Sequence, residues 1–330
     1  MLIDCDSVIR SVSAMLKARS RSDWNSRFEH WLRPASDSEE QKIERAARMV
    51  RDALANNAWL AAEGVSVYAQ GSYHNNTNVR LDSDMDLRVV HPGIKVQYHS
   101  NVHVETANQI LSYTFNGPSL SSLNSRMRAE VSAALGSAFG YRNVDDTGSR
   151  AIHLKSLPGS RAEVDVVPTF VLHHVMWIDA VHNYHTTHGV GILSRDASAW
   201  TFNFPQQHTE NGVAKRARTK LRFKRCVRML KRLRNELTEL GVRAGELIPS
   251  YLIECLAYRV EDAFYLDETD DNFARIYRIT HRLQQLVADP NWVAQASEIN
   301  DVKGLFGDWQ GWTSAQVVAF LIAARTHLEA

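Results

Sequence analysis

Two segments of strand composition enclose a passage that combines a small-residue turn with three closely spaced acids. The passage reads GSYHNNTNVRLDSDMD over residues 71–86, between VSVYAQ (65–70) and DLRVV (86–90). Alternate side chains of a strand share one face, so Asp84 and Asp86 would point the same way, roughly 6–7 Å apart at the backbone. Carboxylates this close repel each other, and the passage therefore predicts a bound cation where the second strand begins.

A third acid, in an apolar segment, extends this prediction. Asp165 lies in AEVDVVPTFVL (162–172), where a buried carboxylate without a partner would be costly. Mg²⁺ prefers carboxylate, phosphate and water oxygens, and two such ions can activate a hydroxyl and stabilise leaving pyrophosphate. We predict that Asp84, Asp86 and Asp165 bind two Mg²⁺ ions, for which Mn²⁺ can substitute, whereas Asp82 lies in the turn and binds no metal.

The Gly-Ser pair supplies hydrogen-bond donors, which complement the carboxylates. Gly71 lets the backbone turn tightly and approach a ligand closely. Backbone N–H groups there, together with the Ser72 hydroxyl, can bind triphosphate oxygens. A Gly-Ser pair or a D-x-D sequence alone is common in solvated turns. Their combination with a distant strand aspartate is far more specific and predicts a catalytic site.

The distribution of segment types predicts an α+β fold with a strand-rich half before about residue 205 and a helical half after it. The chain has 330 residues, 44% of them hydrophobic, enough for one large or two modest domains. The strand DLRVV is expected to stop at Pro92-Gly93, and 189–204 to form a hairpin that turns near Asp196. Helices are predicted within 33–55, 121–139, 213–240, 250–265, 271–287 and 314–328.

Positive charge is concentrated in one segment. Eleven Lys and Arg and no acid lie between Lys215 and Arg234, which leaves 27 basic and 37 acidic side chains elsewhere. This distribution excludes a generally basic nucleic-acid-binding surface. Within a helix, the apolar residues from Phe223 to Leu237 would face the core. A second stripe would present cations to a triphosphate or, alternatively, to solvent: Lys220, Lys224, Arg228 and Lys231. We predict phosphate binding by Lys224 and Lys231.

The segment VYAQGSYHNNTNVRLDSDMDLRVV resembles the active-site segment of polymerase-β-type nucleotidyltransferases. More closely, it resembles the bacterial cGAS/DncV-like nucleotidyltransferases (CD-NTases), in particular the clade E members, some of which use pyrimidine nucleotides. WTFNFPQQHTENGVAKRARTKLRFKRCVRMLKRLRNEL and IPSYLIECLAY resemble later segments of that family. The likeness runs from about residue 31 to 265. It implies a bilobed α+β protein with a catalytic core and spine helix in 1–205 and a helical domain in 206–330 that closes a nucleotide cleft.

The resemblance also implies an activity and its residues. The chain would synthesise a uridine-containing cyclic di- or trinucleotide, a second messenger in anti-phage defence. Gly71 and Ser72 match the family's phosphate-binding turn, and Asp84, Asp86 and Asp165 match its metal-binding acids. The positions that match the family's donor-nucleotide and base-reading residues are Lys231, Ser250, Tyr251 and Asn203.

Several of these assignments have simpler alternatives. Tyr251 could be a core residue at a helix start, and Asn203 could simply begin a turn. The enzyme could instead extend RNA or modify a small acceptor, or the chain could be a sensor of nucleotides or nucleic acid without turnover. A metal site in the histidine-rich stretch 173–188 is not predicted, because its residues favour a loop.

The remaining expectations concern partners and location. UTP and ATP are the favoured substrates, with no obligatory nucleic acid, possible operon-encoded regulators and a monomeric state. The longest apolar run, Val317 to Ala324, is too short to cross a bilayer, and the first residues are acidic where a signal peptide would be basic. Three widely spaced cysteines give no disulfide framework, so a cytoplasmic location is expected.

Overall fold

The computed structural model describes residues 19–32, 37–79, 85–111, 113 and 117–330. The predicted metal ligand Asp84 and the turn residue Asp82 lie outside the described residues. The strands are β1 (Ser66–Gln70), β2 (Met85–Tyr98), β3 (Val144–Asp145), β4 (Ile152–Leu154), β5 (Val164–Ile178), β6 (Tyr184–Leu193) and β7 (Trp200–Asn203). The helices are α1 (Arg21–Trp31), α2 (Asp37–Ala55), α3 (Ala58–Ala62), α4 (Gly71–His74), α5 (Val104–Ile110), α6 (Leu120–Phe139), α7 (Pro205–Arg218), α8 (Arg222–Glu239), α9 (Arg243–Glu246), α10 (Ser250–Arg259), α11 (Ala263–Leu266), α12 (Asn272–Ala288), α13 (Pro290–Gln295) and α14 (Ser314–Glu329).

The chain forms two compact units, each with its own apolar core. The sheet unit comprises Ser36–His74 and Asp84–Pro205, apart from the residues not described. The helical unit comprises Gln206–Ala330 and the described parts of Met1–Ala35 and Asn75–Ser83. Helix α1 and the residues just after α4 therefore pack with the helical unit, although they precede residue 205 in the sequence. None of the described helices has the length and apolar character that a membrane crossing requires.

The sheet unit is built on a mixed sheet with two long central strands. Strand β2 pairs antiparallel with β1 and parallel with β5. The other edge of β5 pairs with β4 at its start and with β6 further on, and β7 extends the sheet beyond β6. This mixed sheet, with helices around it, confirms the predicted α+β class. The hairpin predicted around Asp196 is formed by β6 and β7.

Two expectations about this sheet are wrong. Strand β2 does not stop at Pro92-Gly93, because its register against β5 shifts between His91 and Ile94 and the two intervening residues are left out of the pairing. The Gly93 N–H donates to His91 Nδ1 at 2.9 Å instead. The stretch 182–188 is also not a loop, because most of it forms β6, with His182 at positive φ in the turn that precedes this strand.

Burial alternates along the first part of β2 and so fixes which side chains face solvent. Met85, Leu87 and Val89 are buried in the core of the sheet unit, against the apolar stripes of α2 and α6. Asp86 and Arg88 lie between them in sequence and point to the opposite face. The period of two therefore places the acid on the open side of a strand whose other side is core.

The helical unit is organised around α8. Its predicted apolar stripe, which includes Phe223 and Leu237, is buried in the core of this unit. The prediction of one continuous helix over 213–240 is wrong, because Lys220 and Leu221 adopt positive φ and separate α7 from α8. The Thr219 hydroxyl stabilises this junction, since it donates to the Lys215 carbonyl at 2.7 Å and accepts from the Phe223 N–H at 3.1 Å.

Candidate active site

Four strands of the sheet unit contribute one row of polar residues. In the register of the sheet, Gln70 lies beside Asp86, Asp86 beside Asp165, and Asp165 beside His153. Residues in register on adjacent strands point to the same face, and the strands lie about 4.8 Å apart. We call these four residues the acid row. The structure thus brings together the two predicted metal ligands that it describes.

The acid row is accessible. The Asp165 side chain is 39% exposed, and the side chains beside it in the sequence, Val164 and Val166, are buried on the core face. The apolar setting that made Asp165 look costly in the sequence therefore belongs to its neighbours. The carboxylate itself stands on the open face, where it can meet a ligand.

Gly71 is required at the start of α4 for two separate reasons. Its φ of +74° is a backbone conformation that residues with a side chain rarely adopt. In addition, a Cβ at this position would overlap the Asp86 carboxylate. The Gly-Ser turn therefore lies directly against the acid row, with Ser72 as the next residue of α4.

The acid row also contains a residue that sequence reasoning missed. His153 Nδ1 lies 2.9 Å from Asp165 Oδ1, and its Nε2 lies 3.0 Å from Glu163 Oε1. Each ring nitrogen thus faces a carboxylate oxygen. The pairing of the three-residue strand β4 with β5 creates this contact. A short IHL segment gives no sign in the sequence of which strand it joins.

In the helical unit, three cations of α8 bind consecutive backbone carbonyls. Lys224 Nζ donates to the Asn75 oxygen at 2.5 Å, Arg228 Nη1 to the Asn76 oxygen at 2.9 Å and Lys231 Nζ to the Thr77 oxygen at 3.1 Å. We call Lys224, Arg228 and Lys231 the cation ladder. The fourth member of the predicted stripe, Lys220, lies ahead of the helix and pairs with the exposed Glu268.

One member of the cation ladder has a buried counter-ion. Lys231 forms an ion pair with Glu254, and both side chains are almost completely buried. Glu254 also accepts a hydrogen bond from the Thr77 hydroxyl at 2.7 Å, and His208 Nε2 lies 3.4 Å away. Burial alone would raise the pKa of Glu254, but Lys231 and His208 outweigh it and lower this pKa to about 2. Sequence reasoning assigned no role to His208 and did not single out Glu254.

Lys224 is in a different setting. In the described part of the chain it donates to the Asn75 carbonyl and forms no ion pair. Burial lowers its pKa, and the positive charge of Arg216 acts in the same direction. Of the two lysines predicted to bind phosphate, Lys224 is therefore the one that has no carboxylate at ion-pair distance among the described residues.

The remaining predicted residues lie at element ends. Ser250 is the first residue of α10, and Tyr251 follows it. The Tyr251 hydroxyl donates to Glu298 at 2.8 Å, and its ring stacks on His208 with the centroids 5.6 Å apart. Asn203 is the last residue of β7, beside Val190 of β6. Within the described residues, the Asn203 side-chain amide makes no hydrogen bond.

Comparison with known proteins identifies the family. A family profile described as the cGAS/DncV-like nucleotidyltransferase C-terminal helical domain matches residues 210–329. A cyclic dipyrimidine nucleotide synthase, CdnE, of Legionella pneumophila is 34% identical over 318 residues, which cover 93% of this chain and 98% of the relative. The chain belongs to the cGAS/DncV-like nucleotidyltransferases. The family resemblance and the nucleotidyltransferase class predicted from the sequence are therefore confirmed.

Further comparisons of this nucleotidyltransferase agree. A second cyclic dipyrimidine nucleotide synthase, from Cecembia lonarensis, is 29% identical over 300 residues and covers 91% of this chain and 96% of its own length. The solved structure of the Rhodothermus marinus CdnE c-UMP-AMP synthase with Apcpp and Upnpp superposes with a TM-score of 0.73. It is 24% identical and covers 91% of this chain and 94% of that one. This structural likeness supports the fold assignment.

The residues of the nucleotidyltransferase fit a divalent cation in part. Among the described residues, no three His, Cys, Asp or Glu side chains form a complete metal site. Asp86 and Asp165 supply two carboxylates on one face, next to a backbone turn that leaves no room for a side chain at residue 71. This donor set suits a hard cation that also binds phosphate oxygens. The metal-binding role of Asp84, Asp86 and Asp165 stays a prediction.

Proposed function

We propose that this nucleotidyltransferase is a cyclic dinucleotide synthase that uses at least one pyrimidine nucleoside triphosphate. The observation that carries the proposal is the pairing of Asp86 with Asp165 on the open face of the sheet, against the Gly71 turn. Two relatives that match more than nine-tenths of the chain are named cyclic dipyrimidine nucleotide synthases, which supports a dinucleotide product and a pyrimidine base.

Asp86 and Asp165 would hold a divalent cation, Mg²⁺ or Mn²⁺, together with Asp84. Such an ion, when bound, lowers the pKa of an attacking ribose hydroxyl and neutralises charge on the triphosphate. The carboxylates themselves would keep this face of the sheet negative until a cation binds. Gly71 and Ser72 would bind phosphate oxygens through backbone N–H groups and the serine hydroxyl, at a turn that already lies against Asp86.

In the helical unit we assign phosphate binding first to Lys224. Its charge has no ion-pair partner among the described residues, whereas the charge of Lys231 is neutralised by Glu254. Ser250 would add a hydroxyl donor at the start of α10. Lys231 would contribute mainly by holding Thr77, unless a triphosphate displaces Glu254.

Two residues would select the base. The Asn203 amide carries a donor and an acceptor, so it can pair with the edge of uracil, and this favours UTP. Tyr251 would stack on a base with the ring face that His208 does not cover. ATP would be the second accepted nucleotide. The product would serve as a second messenger in anti-phage defence. The enzyme would act in the cytoplasm, consistent with its buried free thiols, Cys226 and Cys255.

Product analysis tests this function. Purified protein is incubated with each labelled nucleoside triphosphate, alone and in pairs, with Mg²⁺ or Mn²⁺. Label that resists phosphatase, and that mass spectrometry identifies as a cyclic dinucleotide with a pyrimidine, is expected. The Asp86→Ala variant should form none. Label incorporated into added RNA would support the RNA-modifying alternative, and the absence of pyrophosphate release with either metal would favour a non-catalytic sensor.

A further inference from the structure

Within the acid row, the proposed function assigns no role to the contact between His153 and Asp165. We infer that His153 is a positioning residue that orients the Asp165 carboxylate for cation binding, with Glu163 holding the far side of the imidazole ring. This inference rests on the proposed function, because it concerns how one predicted metal ligand of that site is held.

The backbone under His153 is fixed from both sides. Strand β4 contains only three residues, and the outer two, Ile152 and Leu154, are fully buried in the core of the sheet unit. Their burial places His153 on the open face, beside Asp165 in the sheet register. The ring therefore approaches the carboxylate from a strand whose position the core determines. This is the support that a precisely held ligand needs.

The two ring nitrogens contact different carboxylates. Nδ1 lies 2.9 Å from Asp165 Oδ1, which restrains rotation of that carboxylate and leaves its other oxygen for a ligand. Nε2 lies 3.0 Å from Glu163 Oε1, which restrains rotation of the ring. Glu163 and Asp165 are two residues apart and belong to the same side of the chain leading into β5. The three side chains thus form a continuous chain of polar contacts that ends on the predicted metal ligand.

A purely structural role for these contacts is disfavoured by their exposure. The side chains of His153, Glu163 and Asp165 are 33%, 40% and 39% exposed, respectively. Polar contacts this accessible to water add little to stability. Partners that orient a metal ligand behave differently, because their removal commonly lowers metal affinity or activity about 10–100-fold. The inference therefore predicts a large effect on metal-dependent binding and rate and a small effect on folding.

The experiment compares substitutions that keep one nitrogen at a time. The side-chain amide of Asn can occupy the place of Nδ1, and that of Gln can reach the place of Nε2. We compare the His153→Ala, His153→Asn and His153→Gln variants with the wild type and with Asp165→Ala. His185→Ala, on β6, is the matched control, because His185 is exposed and stacks on Trp177 instead of contacting the acid row.

Two measurements are made on each protein. The first is the gain in affinity for a non-hydrolysable UTP analogue when Mn²⁺ is added, measured by calorimetry. The second is the Mg²⁺ concentration that gives half-maximal kcat at saturating nucleotide. His153→Ala and His153→Gln should lose about 10–100-fold in the Mn²⁺-dependent gain and require more Mg²⁺. His153→Asn should stay within about threefold of the wild type, and His185→Ala should match it, with similar unfolding temperatures throughout.

Each contrary outcome has a separate meaning. If Asp165→Ala loses the Mn²⁺-dependent gain and His153→Ala keeps it, this inference is wrong and the metal site stands. If Asp165→Ala keeps the gain, the metal assignment itself is wrong, and the proposed function loses its main support. If His153→Asn is as impaired as His153→Ala, orientation through Nδ1 is refuted. An equal fall in the unfolding temperature of His153→Ala and His153→Asn would show that His153 is a structural residue.

Discussion

The acid row of the sheet unit and the cation ladder of the helical unit place charge in opposite ways. Asp165 stands on an open face and is more than one-third exposed. The cations of the ladder are buried, and each donates to a backbone carbonyl. Asp86 and Asp165 place two like charges side by side on neighbouring strands, whereas each cation of the ladder has a carbonyl acceptor. Residue type alone predicted a binding site in both units, and the two differ in how exposed their charges are and in the partners that those charges have.

The difference has an energetic basis. Two neighbouring carboxylates on an exposed face repel each other and so destabilise the folded state slightly. They stabilise it only when a cation binds between them. A buried ion pair such as Lys231–Glu254 contributes little net stability, but the loss of one partner leaves a desolvated charge and is costly. Substitutions in the acid row should therefore reduce activity without affecting folding. Substitutions around Lys231 should affect folding first.

The largest effect is expected for Asp165→Asn in the acid row. Loss of the carboxylate removes cation-dependent stabilisation of the transition state, worth several kcal/mol, and should lower kcat about 10³-fold. The unfolding temperature should be unchanged or slightly higher, because repulsion from Asp86 is relieved. Steady-state kinetics and thermal unfolding test both parts, with the exposed Asp308→Asn as control. A variant that unfolds early would contradict the view that the acid row makes no contribution to stability.

The next effect is expected for Glu254→Gln in the helical unit. The substitution leaves Lys231 buried without its counter-ion, so the free energy of unfolding should fall by about 3 kcal/mol. Urea denaturation at neutral pH measures this loss, and an unchanged midpoint would contradict a stabilising role of the Lys231–Glu254 ion pair.

The pH dependence of the same variant checks the cause. The pKa of Glu254 is lowered to about 2 in the folded protein, so its contribution to stability is complete above its ordinary pKa of about 4.5. That contribution is lost as the pH falls from about 4.5 through about 2. The difference between wild type and Glu254→Gln should therefore shrink in this window. Other acids titrate there in both proteins and cancel in the comparison.

The smallest effect is expected for a substitution that tests whether Lys224 differs from the other members of the cation ladder. Lys224→Gln keeps a donor for the Asn75 carbonyl but removes the charge that we assign to phosphate binding. The KM for nucleotide should rise about tenfold, as expected for the loss of one hydrogen bond to a charged group, with little change in stability. Arg225→Gln, at an exposed position of the same helix, is the control. An unchanged KM would make the whole ladder a positioning feature.

The features that the sequence predicted correctly depend on the spacing of apolar residues along the chain and on short local motifs. The strand at DLRVV was predicted from its composition, and the apolar stripe from Phe223 to Leu237 predicted the buried face of α8. These features depend only on neighbours in the chain. The activity and the base preference came from the family resemblance instead.

The parts that the sequence did not predict depend on distant pairing. His153 contacts Asp165 because β4 pairs with β5, and Lys231 meets Glu254 because α8 packs against α10. Neither pairing has a local signal. Two further predictions were wrong, the unbroken helix across Lys220 and the end of β2 at Pro92-Gly93. Pairing with the distant strand β5 continues β2 beyond Pro92-Gly93, and the Thr219 hydroxyl stabilises the break between α7 and α8.

The shift in pairing after His91 determines where strand β2 can change in length. Seven pairs, from Met85 with Val164 to His91 with Phe170, precede the shift and include Asp86 with Asp165. A residue gained or lost within those seven would shift part of β2 by one position, and either Asp86 or the buried residues after it would then face the wrong side of the sheet. One gained or lost at Pro92-Gly93 only enlarges or reduces an existing irregularity. Natural variation in length within this strand should therefore collect after His91, and the same position is the one to choose for inserting a reporter peptide.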